Sequence, residues 1–145
     1  MTETLVRRDV DAGVLTLTLD SPKNRNALST TLVAQLNSGL IEAAENPDVR
    51  AVVLTHAGGT FCAGADLSAA LASGATPEEA SAQGAGAMVE LMRSILELPK
   101  PVIARIDGHV RAGGFGLVSA ADIAIGGAAC TFALTESRLG LAPAI

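Results

Sequence analysis

Two stretches hold the residues best suited to chemistry: Gly59-Thr-Phe-Cys-Ala-Gly-Ala-Asp-Leu67 and Gly108-His-Val-Arg-Ala-Gly-Gly-Phe-Gly116. Each follows an apolar run and leads towards a helix. At such a junction the first backbone N–H groups have no acceptor inside the helix and point into open space. Two junctions that face each other can hold the negative charge developing on an oxygen, which is the logic of an oxyanion hole. Glycine and alanine suit this task, because a bulky side chain keeps a ligand from reaching the backbone. Further along, the carboxylate of Glu136 could supply the proton chemistry. Taken singly, neither junction is diagnostic, since Gly-Gly-Phe-Gly serves close helix–strand packing equally well. Neither fits a Walker loop, for no Gly-Lys-Ser/Thr follows, nor a GxGxxG after a first strand.

The elements that must position these junctions can be read from periodicity. Leu15, Leu17 and Leu19 alternate with Thr16 and Thr18, the period of a half-buried strand, and Val6 to Val10 with the Asp11-Ala-Gly13 turn predicts a hairpin into it. Ser21-Pro22 breaks that strand. A helix is expected from Ser29, capped by Ser29 or Asn26, with Leu32, Leu36 and Leu40 on its buried side flanked by Val33 and Ile41. Ala51 to Thr55 reads as a buried strand. Thr76-Pro-Glu-Glu79 combines a capping hydroxyl, a proline at the first helical position and a glutamate three residues after the cap. Met88, Leu91, Met92, Ile95 and Leu96 are the expected buried face of the helix it starts. Leu98-Pro-Lys-Pro101 ends that helix, Val102 to Ile106 is the next strand, a short helix follows through Val118, and Ile123 to Ile125 is a further strand. Strands and helices alternate, which predicts an α/β fold with mostly parallel pairing. The Ala-rich region from Ala69 to Ala87 carries little information, and its start is expected to be mobile.

Composition narrows the function classes. The 145 residues suit a single domain with a real core, 49% hydrophobic but only 2% aromatic, so Ala, Val, Leu and Ile must fill it. A net charge of −5 with scattered basic residues argues against nucleic acid as a partner. No uninterrupted apolar run is long enough to span a membrane, and Met-Thr-Glu-Thr-Leu-Val-Arg-Arg lacks the apolar core of a secretory signal. Cys62 and Cys130 lack CxxC spacing and read as reduced structural thiols of a cytoplasmic protein. No His/Cys/Asp cluster has metal-ligand spacing, so no metal is expected. The chain stops at Leu141-Ala-Pro-Ala-Ile145, an apolar run without a polar tail, which reads as the N-terminal part of a longer protein.

Five blocks in order raise the specificity: Ser21-Pro-Lys-Asn-Arg-Asn-Ala-Leu28, Gly59 to Leu67, Leu98-Pro-Lys-Pro-Val-Ile103, Gly108 to Asp122, and Phe132-Ala-Leu-Thr-Glu-Ser-Arg-Leu-Gly140 with Pro143. Over essentially its whole length the chain resembles the crotonase, or enoyl-CoA hydratase/isomerase, superfamily. The resemblance implies a spiral of ββα repeats forming two sheets, of which residues 1–145 are the N-terminal catalytic core; the C-terminal helical part would be missing, so the piece alone is expected to be poorly soluble or inactive. It also implies an acyl-CoA substrate, with coenzyme A as part of the substrate and no separate cofactor, and a homotrimer or hexamer when complete. By the same resemblance, Ala65 and Gly113 are the two oxyanion donors and Glu136 the general acid/base. Ala27, Ala63 and Ala65 line the CoA path, with Asp66 beside them as the expected cap of the following helix.

Two positions depart from the family pattern. Gly116 stands where two-glutamate hydratases carry a second glutamate, and Arg111 precedes the Gly-rich turn where other members have a small or apolar residue. Arg111 could meet a distal carboxylate on the acyl group, or be a surface or interface arginine; His109 in the same turn reads as structural. Bacterial methylglutaconyl-CoA hydratases, similar in the Glu-x-Arg-Leu-Gly-Leu-x-Pro-Ala block, also carry glycine at the position of Gly116. The implied activity is reversible hydration of a 2-enoyl-CoA through an enolate. The alternatives are a 3,2-enoyl-CoA isomerase using one glutamate, or a non-catalytic acyl-CoA-binding subunit.

Overall fold

The computed structural model describes residues 3–68, 72, 74, 76–140 and 142. The chain opens with the expected hairpin: β1 (Val6–Asp11) and β2 (Val14–Leu19) pair antiparallel from Val6 opposite Leu19 to Asp11 opposite Val14. Ala12 and Gly13 make the turn with φ of 48° and 83°, the two left-handed residues that match the twist of a tight hairpin. After a 3₁₀ turn at Pro22–Asn24, α1 (Thr30–Glu45) starts at Ser29, whose hydroxyl accepts from Leu32 N–H. Asn26, the other cap candidate, is used elsewhere. At the far end of α1 the Lys100 ammonium donates to the carbonyls of Ala43 and Asn46, a cation where the helix dipole favours one.

Among the described residues the further elements are β3 (Ala51–His56), β4 (Thr60–Cys62), α2 (Pro77–Leu96), β5 (Val102–Ile106), β6 (His109–Arg111), α3 (Gly114–Ala120), β7 (Ile123–Gly126) and β8 (Thr131–Ala133), followed by a 3₁₀ turn at Thr135–Leu139. α2 begins with a complete capping box: Glu79 N–H donates to Thr76 Oγ1 at 3.3 Å, and Thr76 N–H donates to Glu79 Oε2 at 2.8 Å. Two sheets result, a five-stranded one ordered β1-β2-β3-β5-β7 and a three-stranded one ordered β4-β6-β8. Among the described residues every strand pairing after the hairpin is parallel, as the alternation predicts.

Three times the chain passes from the large sheet to the small one, through 57–59, 107–108 and 127–130, and these links stack. His109 N–H donates to Gly59 O, Thr131 N–H to Gly108 O, and Gly127 N–H to Ile106 O. Each ββ unit is thereby laid on the one before it in a fixed register, which makes the fold a spiral. The core between the large sheet and the helices is built from Leu15, Leu17, Leu19, Leu32, Leu36, Leu54, Leu91 and Ile95.

Three expectations are corrected. Leu96 is 68% exposed and Ile41 58% exposed; both lie at the margin of their helix's apolar stripe, and Leu96 is the last residue of α2, where the chain turns away from the core. β3 is not uniformly buried: Val52, Leu54 and Thr55 are buried, whereas Ala51, Val53 and His56 are half-buried. The short helix α3 extends past Val118 to Ala120. The start of the Ala-rich region, residues 69–71, 73 and 75, lies outside the described residues.

His56 joins the first and second units. Its Nε2 accepts from Asp107 N–H at 3.0 Å, and its ring meets Phe61 edge-on with centroids 5.7 Å apart. Accepting through Nε2 places the ring proton on Nδ1, which is buried beside the Ala57 and Gly58 backbone. Burial holds the imidazole below its ordinary value of 6.5, outweighing the nearby groups that favour the cation. As the pH falls through about 6.5 the unfolded chain takes up a proton before the folded one does, so stability drops from there downward. His56→Gln, whose Oε1 can accept from Asp107, should remove this component: between about pH 6.5 and 5 the melting temperature of the variant falls less than that of the wild type. Parallel curves for the two proteins would contradict the assignment.

Candidate active site

The first junction leaves β4 at Cys62 and turns through Ala63 and Gly64. Gly64 has a φ of +95°, which favours glycine, and its N–H donates to Cys62 Sγ at 3.4 Å. Cys62 is fully buried, and burial pushes its thiol up to about 12, so the sulfur stays protonated in its role as acceptor. The second junction leaves β6 at Arg111 and turns through Ala112, with a φ of 47°, into Gly113, the residue that precedes α3.

The two junctions pack directly against each other. A Cβ on Gly64 would lie 2.6 Å from Ala112 Cβ, and one on Gly114 would lie 2.9 Å from Cys62 Cβ and 3.1 Å from its carbonyl oxygen. Only residues lacking a side chain let the backbones approach so closely. A Cβ on Gly113 would meet Ala65 N at 4.0 Å and Leu28 Cδ1 at 3.4 Å, so Ala65, Gly113 and Leu28 form one small cluster.

Backbone bonding leaves two donors unused in that cluster. Leu28 and Ala65 form an isolated parallel bridge, in which Leu28 N–H donates to Gly64 O at 2.8 Å and Asp66 N–H donates to Leu28 O at 3.3 Å. In a parallel bridge the central residue's own N–H points to the opposite edge. Neither Ala65 N–H nor Gly113 N–H has an acceptor among the described residues. Ala65 is exposed and Gly113 half-buried, so both N–H groups are open to a ligand or to water.

Glu136 follows a strand whose end is tied to the second junction. Ala112 N–H donates to Ala133 O at 3.2 Å, which ties the end of β8 to the second junction three residues before Glu136. The Glu136 carboxylate lies in the closing 3₁₀ turn, and its Oε2 is buried with no hydrogen-bond partner among the described residues. A buried carboxylate oxygen without a donor is costly unless a proton or a ligand supplies one.

The other expected site residues fall around this centre. Ala27 is buried, one residue before Leu28, and Ala63 lies in the first junction. Asp66 accepts from Ser68 N–H at 3.1 Å and from Ser68 Oγ, and weakly from Asn24 Nδ2 at 3.4 Å. These bonds, led by the Ser68 hydroxyl, hold its carboxyl below the usual range. Gly116 lies buried in the first turn of α3 and donates to Gly113 O. The Arg111 guanidinium donates to Val110 O, Thr131 O and Thr131 Oγ1, at 2.8 to 2.9 Å, clamping β6 to β8. His109 Nδ1 lies 2.6 Å from the same Thr131 hydroxyl. Sequence reasoning gave no role to Leu28 or to the Cys62 thiol, because a backbone bridge and a thiol acceptor leave no mark in residue spacing.

Comparison with known proteins bears on what this arrangement is. The sequence profile of the family described as enoyl-CoA hydratase/isomerase matches residues 9–145. The chain is 37% identical over 132 residues to carnitinyl-CoA dehydratase of Proteus mirabilis, covering 90% of this chain and 49% of that protein. It is 35% identical over 139 residues to 1,2-epoxyphenylacetyl-CoA isomerase of Escherichia coli, covering 92% and 52%. Among solved structures, an enoyl-CoA hydratase from Mycobacterium avium superposes with a TM-score of 0.84 at 54% identity, covering 99% of this chain and 55% of that one. The chain thus spans about half the length of the curated relatives it matches. Joined to two abutting small-residue junctions and a spiral of stacked ββ units, the profile match establishes that the chain has the crotonase fold and belongs to the enoyl-CoA hydratase/isomerase family.

Proposed function

We propose that this chain carries the acyl-thioester site of an enzyme that reversibly hydrates a 2-enoyl-CoA. The observation that carries the reading is the pair of N–H groups, of Ala65 and Gly113, without an acceptor among the described residues and brought together where Gly64 meets Ala112 and Gly114 meets Cys62. The thioester oxygen accepts from both. As water adds to C3 of the enoyl group, Glu136 takes the proton that water gives up, and the electron pair of the double bond moves onto the thioester as an enolate. The two donors hold the charge on that oxygen, and Glu136 returns the proton to C2. Atoms and charge balance with one carboxylate, which suits a site with glycine at position 116. Each preorganised donor contributes roughly 3 kcal/mol at the transition state of such a reaction. The names of the relatives, a dehydratase and an isomerase of CoA thioesters, support the same substrate class.

Gly116 also favours a second reading, a 3,2-enoyl-CoA isomerase. There Glu136 takes a proton from C2 of a 3-enoyl-CoA and returns it to C4, and no second acid is required. The two readings separate in one assay on the natural polypeptide, following the absorbance of the conjugated thioester. Hydration removes absorbance from a 2-enoyl-CoA, whereas isomerisation creates it from a 3-enoyl-CoA. Glu136→Gln should lower kcat by about 10³-fold in either case, with KM nearly unchanged. Full activity in that variant would remove Glu136 from the mechanism.

Gly64→Ala should act on the same site from the other side. The new Cβ meets Ala112 Cβ, so the second junction must move, and the φ of +95° adds strain. Stability should drop by about 1–3 kcal/mol, and the folded protein should lose kcat. A Gly64→Ala protein with wild-type melting temperature and kcat would contradict the close contact.

A further inference from the structure

We propose that Asn26 is a positioning residue of the acyl site, holding the Ala65 donor in place through Leu28. The inference rests on the reading of Ala65 and Gly113 as the thioester-oxygen site. Asn26 is fully buried and all of its side-chain polar atoms are used. Its Oδ1 accepts from Ser21 N–H at 2.7 Å, and its Nδ2 donates to Thr60 O at 2.7 Å and to Ala57 O at 3.2 Å. One side chain therefore closes the 21–28 loop on itself and fastens it to the link between β3 and β4. The loop needs that fastening: Arg25 and Asn26 are consecutive non-glycine residues in the left-handed region, at φ of 58° and 55°. Asparagine tolerates this conformation better than most residues, but it persists only where surrounding bonds hold it.

Two residues further on, the loop meets the site. Leu28 takes Gly64 O as acceptor and offers its own carbonyl to Asp66 N–H, so both backbone bonds flanking Ala65 end on Leu28. Those bonds set which edge of the segment the Ala65 N–H faces. The Leu28 side chain supplies the spacing as well, standing 3.4 Å from where a Gly113 Cβ would be. The first junction is thus held by Cys62 from its own strand and by Leu28 from the Asn26 loop, and Asn26 never touches the acyl group. Loss of Asn26 removes the bonds to the Ser21 N–H and to the Ala57 and Thr60 carbonyls and frees Leu28 to drift. A donor misplaced by a fraction of an ångström to one ångström loses most of its effect on the transition state.

The test uses the natural polypeptide and a conjugated acyl-CoA whose absorption moves to longer wavelength when its carbonyl is polarised. Asn26→Ala removes the whole bolt. Asn26→Asp keeps the shape and the Ser21 bond but removes both Nδ2 donations, and it carries the test should Asn26→Ala prevent folding. In the folded variants the red shift of the bound thioester should shrink, and kcat should fall by about 10²-fold with KM within about three-fold of wild type. A purely stabilising role would lower the melting temperature and leave the red shift and kcat of the folded protein untouched, and that result would overturn the inference. A wild-type protein that binds the thioester without any red shift would overturn the reading of Ala65 and Gly113 themselves, whatever Asn26 does. Glu136→Gln separates the two, since it should abolish turnover while keeping the full red shift.

Discussion

The contact between the 62–65 turn and the 112–114 turn organises this molecule. It is closer than side chains permit: Gly64 lies against Ala112, and Gly114 against Cys62. Small residues bury little apolar area there, and they leave the Ala65 and Gly113 N–H groups without an acceptor among the described residues. On the function proposed above, the contact holds a pair of backbone dipoles that need not reorganise when charge appears on a ligand oxygen. The surrounding structure can be read as what keeps the two turns at that distance.

The spiral supplies most of that support. Because the links between the sheets stack through Gly59, Gly108 and Ile106, each short strand of the small sheet starts at a set height above the last. β4 and β6 then deliver their junctions side by side, and β8 delivers the turn that carries Glu136. The Arg111 clamp onto Thr131 strengthens the β6–β8 pairing next to the second junction. On the other side the Asn26 loop reaches across from the first hairpin to grip the first junction through Leu28. The placement of the two junctions thus depends on long-range register, set by pairs such as Asn26 with Thr60 and Leu28 with Gly113, rather than on local motifs.

This explains which parts of the molecule were legible in the amino-acid sequence. The caps at Ser29 and Thr76, the leucine alternation of β2 and the apolar run of β5 each express a local preference, and each element lies where that preference puts it. Strands of three residues express none. β4, β6 and β8 are too short for a period of two to register, so the small sheet was visible only through resemblance to a family. Ile41 and Leu96 misled because a stripe drawn at helical spacing has margins, and neighbouring elements decide whether a margin is covered. Glu136 carried a side chain that could be weighed as a catalyst, whereas unpaired N–H groups have no residue type. Asn26 looked like a helix cap; its burial and its bonds to Ala57 and Thr60 come from a fold that brings residues 26 and 60 together.

The most direct measurement of the central claim is on the two amides themselves. The natural polypeptide, labelled with ¹⁵N in alanine and glycine, would be titrated with a saturated acyl-CoA, which can bind but not be hydrated. The Ala65 and Gly113 amide protons should move downfield together and exchange with solvent more slowly, as two donors closing on one oxygen must. Binding of the thioester with both amides unmoved would mean that the oxygen lies elsewhere.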